Sequence, residues 1–496
     1  MKACLLGIDI GTSACKAALF SQSGQVLSQV SRVYPVHYPH PGWAEQNPDD
    51  WWQAACSAIR EVIDSSGAKP GDIAGIGVAG QSWSAILVGP QGEVLLPTPI
   101  WTDTRALKEC EEIARLVPEE TLFSCCGNPL RPEYSLPKVK WYQRCAPDAY
   151  KKAAAVLQSN SFIVYRLTGR VTQDISQGYG FSCFDTRKGR WDEEIIKRLD
   201  IRRELLPGMF ASHETAGTVS SQAAELTGLL AGTPVVAGGL DAACSTLGAG
   251  VINHGQTQEQ GGQAGGMSIC LSAPVSDRRL ILGCHVVPGR WLLQGGSTGG
   301  GGALKWLRDQ LSPQLSFAQM SDLAATVKAG SEGVLFLPYM SGERSPLWNP
   351  NACGVFFGLD NTKTSAHLIR AVMEGVAFSL QHNLQTARQA GTQVKVLRAT
   401  GGSANSLVWT QLKADITGRD IEVSSSDTTT TLGAALLAGV GTGLYPDFEA
   451  AVGRTVGVLR THQANADNFA VYARQYRRYL ELVKCLAPMM TKEAEL

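Results

Sequence analysis

Leu5-Leu-Gly-Ile-Asp-Ile-Gly-Thr-Ser-Ala-Cys-Lys-Ala-Ala-Leu-Phe20 is the stretch on which the rest of the chain depends. Two short apolar runs flank a Gly-Thr-Ser turn, which is typical of a β-hairpin. Asp9 lies one residue before the end of the first run, where a carboxylate has no packing role. Gly11 lets a ligand approach the backbone, and Thr12 and Ser13 offer hydroxyl and N–H groups to an anion. The stretch is therefore either an ordinary hairpin with a polar turn or a phosphate-binding turn.

The charge of this hairpin indicates what a bound phosphate would need. The Asp9 carboxylate would repel a phosphate unless a divalent cation lies between the two groups. Mg²⁺ is usually held by one or two carboxylates together with the phosphates of a substrate. As a phosphate-binding turn, the hairpin predicts a nucleotide and a Mg²⁺ ion held by Asp9.

The bulk composition predicts more than one domain and excludes one class of partner. The chain has 496 residues, too many for a single core, and we expect an N-terminal domain over 1–250 and a C-terminal domain over 251–496. Lysine and arginine number 44, as do aspartate and glutamate, and no basic stripe is visible. A nucleic-acid partner is therefore not expected.

The cysteines and the apolar runs predict the cellular compartment. The 13 cysteines are scattered apart from Cys125-Cys126, and no Cys-x-x-Cys pair indicates a zinc or redox site. Free thiols fit a reducing compartment. Asp9 interrupts the apolar run that a signal peptide would need, and no later run is long enough to span a membrane. We expect a cytoplasmic protein that does not associate with membranes.

Polar residues and indoles follow a strand predicted over Ile73–Gly80. The two clusters contain an amide, hydroxyls, two indoles and a charge pair: Gln81, Ser82, Trp83, Trp101, Asp103 and Arg105. Sugars are bound by this mixture, because amides and charges bond their hydroxyls and indoles cover their C–H faces. The alternative is a polar turn and a surface ion pair between Asp103 and Arg105. We favour the sugar site.

The same strand matches a dinucleotide-binding pattern, but its context excludes that function. Gly75, Gly77 and Gly80 have the G-x-G-x-x-G spacing. They lie inside the predicted strand, and another strand follows instead of a helix.

Asp241 opens a helix of small residues directly after an apolar strand and the pair Gly238-Gly239. A carboxylate at a helix N-terminus is stabilised as the anion and can act as a cap. Alternatively, Asp241 faces a cleft as the general base for a substrate hydroxyl. The two glycines would then leave room for a ligand or metal.

The second half contains two glycine-rich segments of interest. Gly255–Gly266 is predicted to form a second turn that faces a phosphate. A strand over Val394–Thr400 ends at Gly401-Gly402 before a helix over Leu407–Thr417, which is a suitable seat for a ribose or α-phosphate. We expect the small-residue helix that begins at Thr431 to pack over that seat.

Taken together, these stretches resemble the FGGY carbohydrate kinases, and within them the xylulokinases, over essentially the whole chain. The matching motifs stand in the family's order: Gly7-Ile-Asp9-Ile-Gly11-Thr12-Ser13, Gly238-Gly239-Leu240-Asp241, Phe336–Pro346 with Gly354–Gly358, and Gly401-Gly402-Ser403 with Trp409, Gln411, Ala414, Asp415 and Gly418. The resemblance implies an α/β fold of two actin-like (ribonuclease H-like) ATPase domains, each with a mixed five-stranded sheet, around an interdomain cleft.

The resemblance also implies an activity and a set of site residues. The activity is ATP- and Mg²⁺-dependent transfer of the γ-phosphate to a hydroxyl of a ketopentose such as D-xylulose. Asp241 is implied as the general base, and Asp9 and Asp241 as the residues at the metal. The nucleotide side is implied for Asp9, Gly11, Thr12, Ser13, Gly262, Gly401, Gly402 and Asn405, and the sugar side for Gln81, Ser82, Trp83, Asp103 and Asp241. A homodimer is common among relatives.

The chain departs from the xylulokinase pattern at three places. Ser82-Trp83-Ser84 stands where Met-His-Gly is usual, and Ala242 where Asn is usual. Gly261-Gly262-Gln263-Ala264 replaces the Leu-Gly-Thr-Ser of the second phosphate turn. The first two changes fall at sugar-contacting positions and leave another ketose or a polyol open as the substrate. The third change affects the predicted contacts to the γ-phosphate.

Two functions from other classes compete with the kinase. An actin-like ATPase would use the phosphate hairpin for conformational work and would show sugar-independent turnover. A regulator that senses a sugar or nucleotide would bind its ligand without turnover. The sugar-side residues favour the kinase, because neither alternative requires Gln81, Trp83, Asp103 and Asp241 to converge.

Overall fold

The structure is a computed structural model that describes residues 3–491. No helix within these residues is long and apolar enough to cross a membrane.

The first half of the described chain contains strands β1 to β15 and helices α1 to α9. The strands are β1 (Cys4–Ile10), β2 (Ala14–Ser21), β3 (Val26–Val33), β4 (Glu45–Gln46), β5 (Ile73–Gly80), β6 (Ile86–Val88), β7 (Thr98–Pro99), β8 (Ala155–Leu157), β9 (Thr172–Asp174), β10 (Phe184–Asp185), β11 (Arg190–Trp191), β12 (Gly208–Phe210), β13 (Thr215–Thr218), β14 (Pro234–Val236) and β15 (Gly239–Leu240). The helices are α1 (Pro48–Ser66), α2 (Leu107–Leu116), α3 (Glu119–Cys126), α4 (Ser135–Cys145), α5 (Pro147–Lys152), α6 (Ser159–Thr168), α7 (Glu193–Arg198), α8 (Ser221–Thr227) and α9 (Asp241–Gly248).

The second half contains strands β16 to β24 and helices α10 to α16. The strands are β16 (Gln256–Gly261), β17 (Gly265–Leu271), β18 (Ile281–Cys284), β19 (Trp291–Ser297), β20 (Leu335–Pro338), β21 (Gly354–Phe357), β22 (Val396–Thr400), β23 (Ile421–Ser424) and β24 (Val458–His462). The helices are α10 (Gly301–Leu311), α11 (Phe317–Thr326), α12 (Ser365–Gln389), α13 (Leu407–Thr417), α14 (Thr429–Gly441), α15 (Phe448–Thr455) and α16 (Phe469–Leu486).

Each half is built around a mixed sheet with the same core topology. In the first sheet, β1 pairs antiparallel with β2, β2 antiparallel with β3, and β1 parallel with β5. In the second, β16, β17, β19 and β22 repeat these relations. The predicted α/β fold of two similar halves is confirmed.

Both sheets have seven strands, which corrects the implied number of five. The order is β13-β14-β5-β1-β2-β3 with β15 beside β5 in the first sheet, and β18-β19-β17-β16-β22-β23-β24 in the second. In the second sheet the antiparallel edge strands β18 and β24 account for the two additional strands.

The position of α14 is a second correction. The helix packs on β1 and β5 of the first sheet and on α9, not over the glycines of the second half. Its backbone approaches the strands so closely that a Cβ at Gly7 or Gly77 would overlap the carbonyl of Thr431 or Ala434. Small residues on both surfaces permit this approach, and the helix therefore joins the two halves of the chain.

The glycine-rich segment Gly255–Gly266 forms a strand over much of its length. β16 runs to Gly261, so the turn before β17 is much shorter than expected. Thr257, Gln258 and Glu259 of β16 are buried, and Gln258 Oε1 accepts from Gln260 Nε2 at 3.1 Å and from Thr246 Oγ1 at 2.8 Å. Hydrogen bonds to these side chains, together with the pairing of Glu259 and Lys413, allow a polar sequence to form a central strand. The predicted helix Leu407–Thr417 is confirmed as α13.

Candidate functional site

Asp9 is a buried carboxylate with an unused oxygen. It is 7% exposed near the end of β1, and its Oδ1 has no hydrogen-bond partner within residues 3–491. Burial raises the pKa of Asp9 to about 6, and the charge of Lys16 opposes the shift. Lys16 lies directly opposite Asp9 in the β1–β2 register. A buried anion needs a charged or hydrogen-bonded partner, so a cation fits this position.

Asp241 comes from a remote part of the chain but lies near Asp9. It is the first residue of α9, and its Oδ1 accepts the N–H of Ala242 at 2.6 Å. The N-cap is Leu240, without a side-chain hydrogen bond, so capping does not explain Asp241. Burial and then the neighbouring Asp9 carboxylate raise the pKa of Asp241 to about 7. The two carboxylates therefore belong to one site.

Hydrogen bonds connect the turn of the first hairpin to the predicted sugar side. Trp101 Nε1 donates to Thr12 Oγ1 at 2.8 Å, and Gln46 Nε2 donates to the carbonyl of Thr12 at 2.8 Å. Gln81 Nε2 in turn donates to Gln46 Oε1 at 2.8 Å. Gln81 is buried, and its Oε1 has no partner among the described residues. The network fixes Gln81 while leaving one acceptor unused.

Trp83 forms an aromatic cage with two tyrosines that lie far from it in sequence. Its ring centroid lies 4.7 Å from that of Tyr134 and 6.1 Å from that of Tyr179. Trp83 has φ 59, a left-handed conformation that is uncommon for a bulky side chain. Within the described chain, Trp83 Nε1 and Tyr134 Oη are buried without partners. The cage thus holds polar atoms that are free to bond a ligand.

Ser82 and Asp103 differ in accessibility. Ser82 is half-buried beside the cage residue Trp83. Asp103 is fully buried, and its oxygens accept from the Ala44 N–H at 2.7 Å and from Arg105 Nη2 at 2.7 Å and Nε at 2.9 Å. Arg105 also donates to Glu45 Oε1 at 2.7 Å. Asp103 therefore supports the loop that carries Trp101, and its enclosed carboxylate offers no free surface to a sugar.

The glycines of the second half lie around a cavity. Gly262, Gly402 and Asn405 line a cavity of about 460 Å³, together with Leu304, Phe317 and Trp409. Gly401 has φ +82, and a Cβ there would lie 2.9 Å from the carbonyl oxygen of Gly261. Apolar walls with a few polar groups suit a nucleoside.

A second cavity connects Asp9 and Lys16 with the start of α14. Its volume is about 390 Å³, and Thr428, Thr429 and Thr430 contribute to its wall. The hydroxyls of Ser245 in α9 and Thr429 in α14 form a hydrogen bond of 2.9 Å where the two helices meet. The carboxylate site is therefore continuous with the contact between the two halves of the chain.

Comparison with known proteins identifies the family. The family descriptions "FGGY family of carbohydrate kinases, N-terminal domain" and "C-terminal domain" match residues 4–248 and 271–442. The xylulose kinase of Escherichia coli K12 is 31% identical over 490 residues, which are 98% of this chain and 99% of that protein. This chain belongs to the FGGY family of carbohydrate kinases.

Solved structures agree with this assignment of the FGGY kinase. The crystal structure of xylulose kinase from Rhodospirillum rubrum has a TM-score of 0.90 at 30% identity and covers 98% of this chain and 99% of that chain. Gluconate kinase from Lactobacillus acidophilus has a TM-score of 0.91 at 25% identity and covers 98% and 99%. The enzyme is thus a carbohydrate kinase that uses ATP.

The structure of this FGGY kinase adds candidate site residues that the sequence analysis missed. The sequence could have indicated Lys16, because it is a single charge in an apolar strand, and the register places it opposite Asp9. Tyr134 and Tyr179 had no such signal, since each follows a segment without a motif and reaches Trp83 only through the tertiary fold. Arg344 belongs to a motif that the sequence analysis noted without assigning its side chain a role.

Proposed function

We propose that this FGGY kinase transfers the γ-phosphate of ATP to a hydroxyl of a ketopentose, with D-xylulose as the first candidate. The observation that carries the proposal is the meeting of Asp9 and Asp241 beside the Trp83 cage. Relatives that match the chain over nearly its whole length carry the name xylulose kinase. The substrate in the names of these relatives is the reason for placing D-xylulose first.

Asp241 is the proposed general base. Its raised pKa, to about 7, lets the carboxylate accept a proton from a sugar hydroxyl at neutral pH. Thr12 and Ser13 are proposed to hold phosphate oxygens at the turn of the first hairpin. Lys16 is proposed to add positive charge there, since it lies opposite Asp9 and lines the same cavity. Positioning and charge neutralisation provide most of the catalysis in phosphoryl transfer.

A Mg²⁺ ion fits the two acidic residues. Asp9 keeps a buried oxygen that has no partner in residues 3–491, and a cation would relieve the unfavourable like charges of Asp9 and Asp241. Asp9 would hold the metal, with Asp241 near it. When bound, Mg²⁺ neutralises charge on the transferred phosphate.

The remaining assignments complete the proposal. Gly262, Gly401, Gly402 and Asn405 are proposed to seat the adenosine, since three of them line the cavity of about 460 Å³. Gln81, Ser82 and Trp83 are proposed to contact the sugar, and Asp103 to support the loop of Trp101. The proposed domains remain 1–250 and 251–496.

Two further proposals concern the localisation and the oligomeric state of the protein. We propose a cytoplasmic enzyme, because the cysteines are free thiols, as a reducing compartment would maintain. We also propose a homodimer, which light scattering of the purified chain tests directly.

A second substrate class is favoured by one observation. Trp83 stands where xylulokinases usually carry a histidine, and its indole N–H has no hydrogen-bond partner among the described residues. Another ketose or a polyol is therefore the alternative. A gluconate kinase also stands among the relatives with this fold.

The test is ADP release with ATP and Mg²⁺ across ketopentoses, pentitols, ketohexoses, glycerol and gluconate. A strong response to D-xylulose supports the proposal, and a response to another compound replaces the substrate but keeps the kinase. ATP turnover without any sugar favours an ATPase. No ADP release with any compound, together with tight sugar binding, favours a regulator.

A further inference from the structure

Among the described residues, the Arg344 guanidinium at the proposed site has no hydrogen-bond acceptor. It lies on the loop that follows β20 and is half-buried. Within residues 3–491, its Nε is buried without a hydrogen-bond partner, and no carboxylate forms an ion pair with it. In contrast, the buried guanidiniums of Arg105 and Arg370 pair with Glu45 and Glu374. A desolvated cation without an acceptor is costly, so Arg344 requires an explanation.

The surrounding residues hold Arg344 in place. The Glu343 carboxylate accepts the N–H groups of Arg344 and Thr298, each at 2.8 Å, and the hydroxyl of Ser297 at 2.7 Å. The side chain passes over Gly296, where an ideal Cβ would lie 3.0 Å from Arg344 Cζ. The loop is therefore anchored, and the glycine leaves the space that the guanidinium occupies.

The guanidinium lies against residues of the first half. Its Cζ is 5.4 Å from the ring centroid of Trp101, which donates to Thr12 in the phosphate hairpin. Burial lowers the pKa of Arg344, and Glu343, Tyr179 and Glu133 oppose that shift. Arg344 and the Tyr179 phenol of the aromatic cage are thus close enough for their charges to interact, although they come from opposite halves of the chain.

Within the described part of the chain, the unpartnered buried atoms around Arg344 and the Trp83 cage are both donors and acceptors. Arg344 Nε, Arg131 Nε and Trp83 Nε1 can only donate, whereas Glu133 Oε2 and Gln81 Oε1 accept hydrogen bonds. Burial lowers the pKa of Arg131, and Tyr134 and Glu133 oppose it, so Arg131 belongs to the same group. A ligand rich in hydroxyls satisfies both kinds of atom, because each hydroxyl donates and accepts.

We propose that Arg344 is a sugar-contacting residue whose guanidinium donates hydrogen bonds to oxygens of the acceptor sugar. The inference rests on the proposed kinase function and deepens it. The second half of the chain then contributes to sugar binding as well as to nucleotide binding. The sugar site is complete only when the loop after β20 lies against the Trp83 cage.

The test compares wild type with Arg344→Gln and Arg344→Lys in the full-length chain, using the best substrate from the panel above. We expect Arg344→Gln to raise the KM for the sugar by about 10- to 100-fold, because bonds from a charged donor are lost. The KM for ATP stays within about twofold. Arg344→Lys recovers part of the affinity, since it keeps the charge but loses the planar fork.

Controls separate a binding role from a structural role. Arg388→Gln removes an exposed arginine at the distant end of α12 and should leave both KM values unchanged. Thermal melting establishes whether each variant is folded; if Arg344→Gln is not, Arg344→Lys alone provides the comparison.

Each result either supports or overturns the role of Arg344. An unchanged sugar KM with an active wild type removes Arg344 from the sugar site and leaves the kinase proposal intact. A lower kcat and lower sugar-independent ATP hydrolysis at constant sugar KM assign Arg344 to the transferred phosphate instead and overturn the inference. A wild type that phosphorylates nothing in the panel removes the proposed function and this inference together.

Discussion

Asp241 and Asp9 form a pair of like charges at the junction of the two halves. Burial, and then the Asp9 carboxylate, raise the pKa of Asp241 to about 7. Burial also raises the pKa of Asp9 to about 6. The fold places two carboxylates where burial and their like charges disfavour the ionised forms. Such an arrangement is typical of a site that binds a ligand rather than one that stabilises the fold.

The first prediction concerns catalysis by Asp241. Asp241→Asn should lower kcat by about 10²- to 10⁴-fold, because the amide cannot accept the proton of the sugar hydroxyl. The KM for ATP should change little. Steady-state kinetics with varied ATP and sugar measure both effects, with the exposed Asp64→Asn of α1 as the matched control. Near-wild-type turnover in Asp241→Asn would remove Asp241 from the mechanism.

The second prediction concerns stability and pH. The folded protein keeps a proton on Asp241 up to about pH 7, whereas the ordinary pKa is 3.8. The ionised carboxylate therefore destabilises the folded state increasingly as the pH rises from about 4 to 7. Without ligands, Asp241→Asn should melt at a higher temperature than wild type at pH 8, and the difference should shrink towards pH 4. Calorimetry that finds no pH dependence of this difference contradicts the prediction.

The third prediction tests the aromatic cage through a neighbouring glycine. A Cβ at Gly180 would lie 2.7 Å from Trp83 Cδ1, so Gly180→Ala should displace the indole. We expect the sugar KM to rise by about tenfold, as overpacking commonly costs 1–3 kcal/mol, while the KM for ATP is unchanged. Gly453→Ala is the control, because an added Cβ there meets no atom within 4 Å. Equal kinetics for the two variants would show that the indole does not contact the sugar.

The fourth prediction separates the two glycines before α13. Gly401→Ala should lower the melting temperature, because the residue has φ +82 and the new Cβ would lie 2.9 Å from the Gly261 carbonyl oxygen. In Gly402→Ala, the new methyl group would meet no atom within 4 Å and would lie at the wall of the cavity of about 460 Å³. This variant should raise the KM for ATP without changing the melting temperature. Thermal melts and ATP titrations of both variants test this difference.

Sequence reasoning singled out charged residues that stand in apolar or glycine-rich segments. Asp9 is a charge at the end of an apolar strand, and Asp241 is a charge directly after a strand and two glycines. Such charges are visible without a structure, because neither packing nor secondary structure accounts for them. The hairpin and α13 were predictable for a similar reason, since their patterns are local.

Sequence reasoning failed where a property depends on distant contacts. The small residues of α14 fit several possible partners, and only the fold selects the glycines of β1 and β5. Asp103 is predicted as a sugar ligand from its neighbours in sequence, which do not reveal that its oxygens bond the backbone of Ala44 and the side chain of Arg105. Tyr134 and Tyr179 carry no motif and meet Trp83 only in three dimensions.

The last prediction concerns Lys16, the positive charge opposite Asp9. Lys16 is exposed, lines the same cavity as Asp9, and its charge opposes the rise in the pKa of Asp9. Lys16→Met should raise the KM for ATP and lower kcat, because the nucleotide loses a cation near its phosphates. Lys16→Arg should restore most of both values, whereas Lys108→Met, an exposed residue of α2, should match wild type. The pKa of Asp9, followed by carboxyl carbon NMR, should rise in Lys16→Met. Unchanged ATP kinetics together with an unchanged Asp9 pKa would exclude Lys16 from the phosphate site.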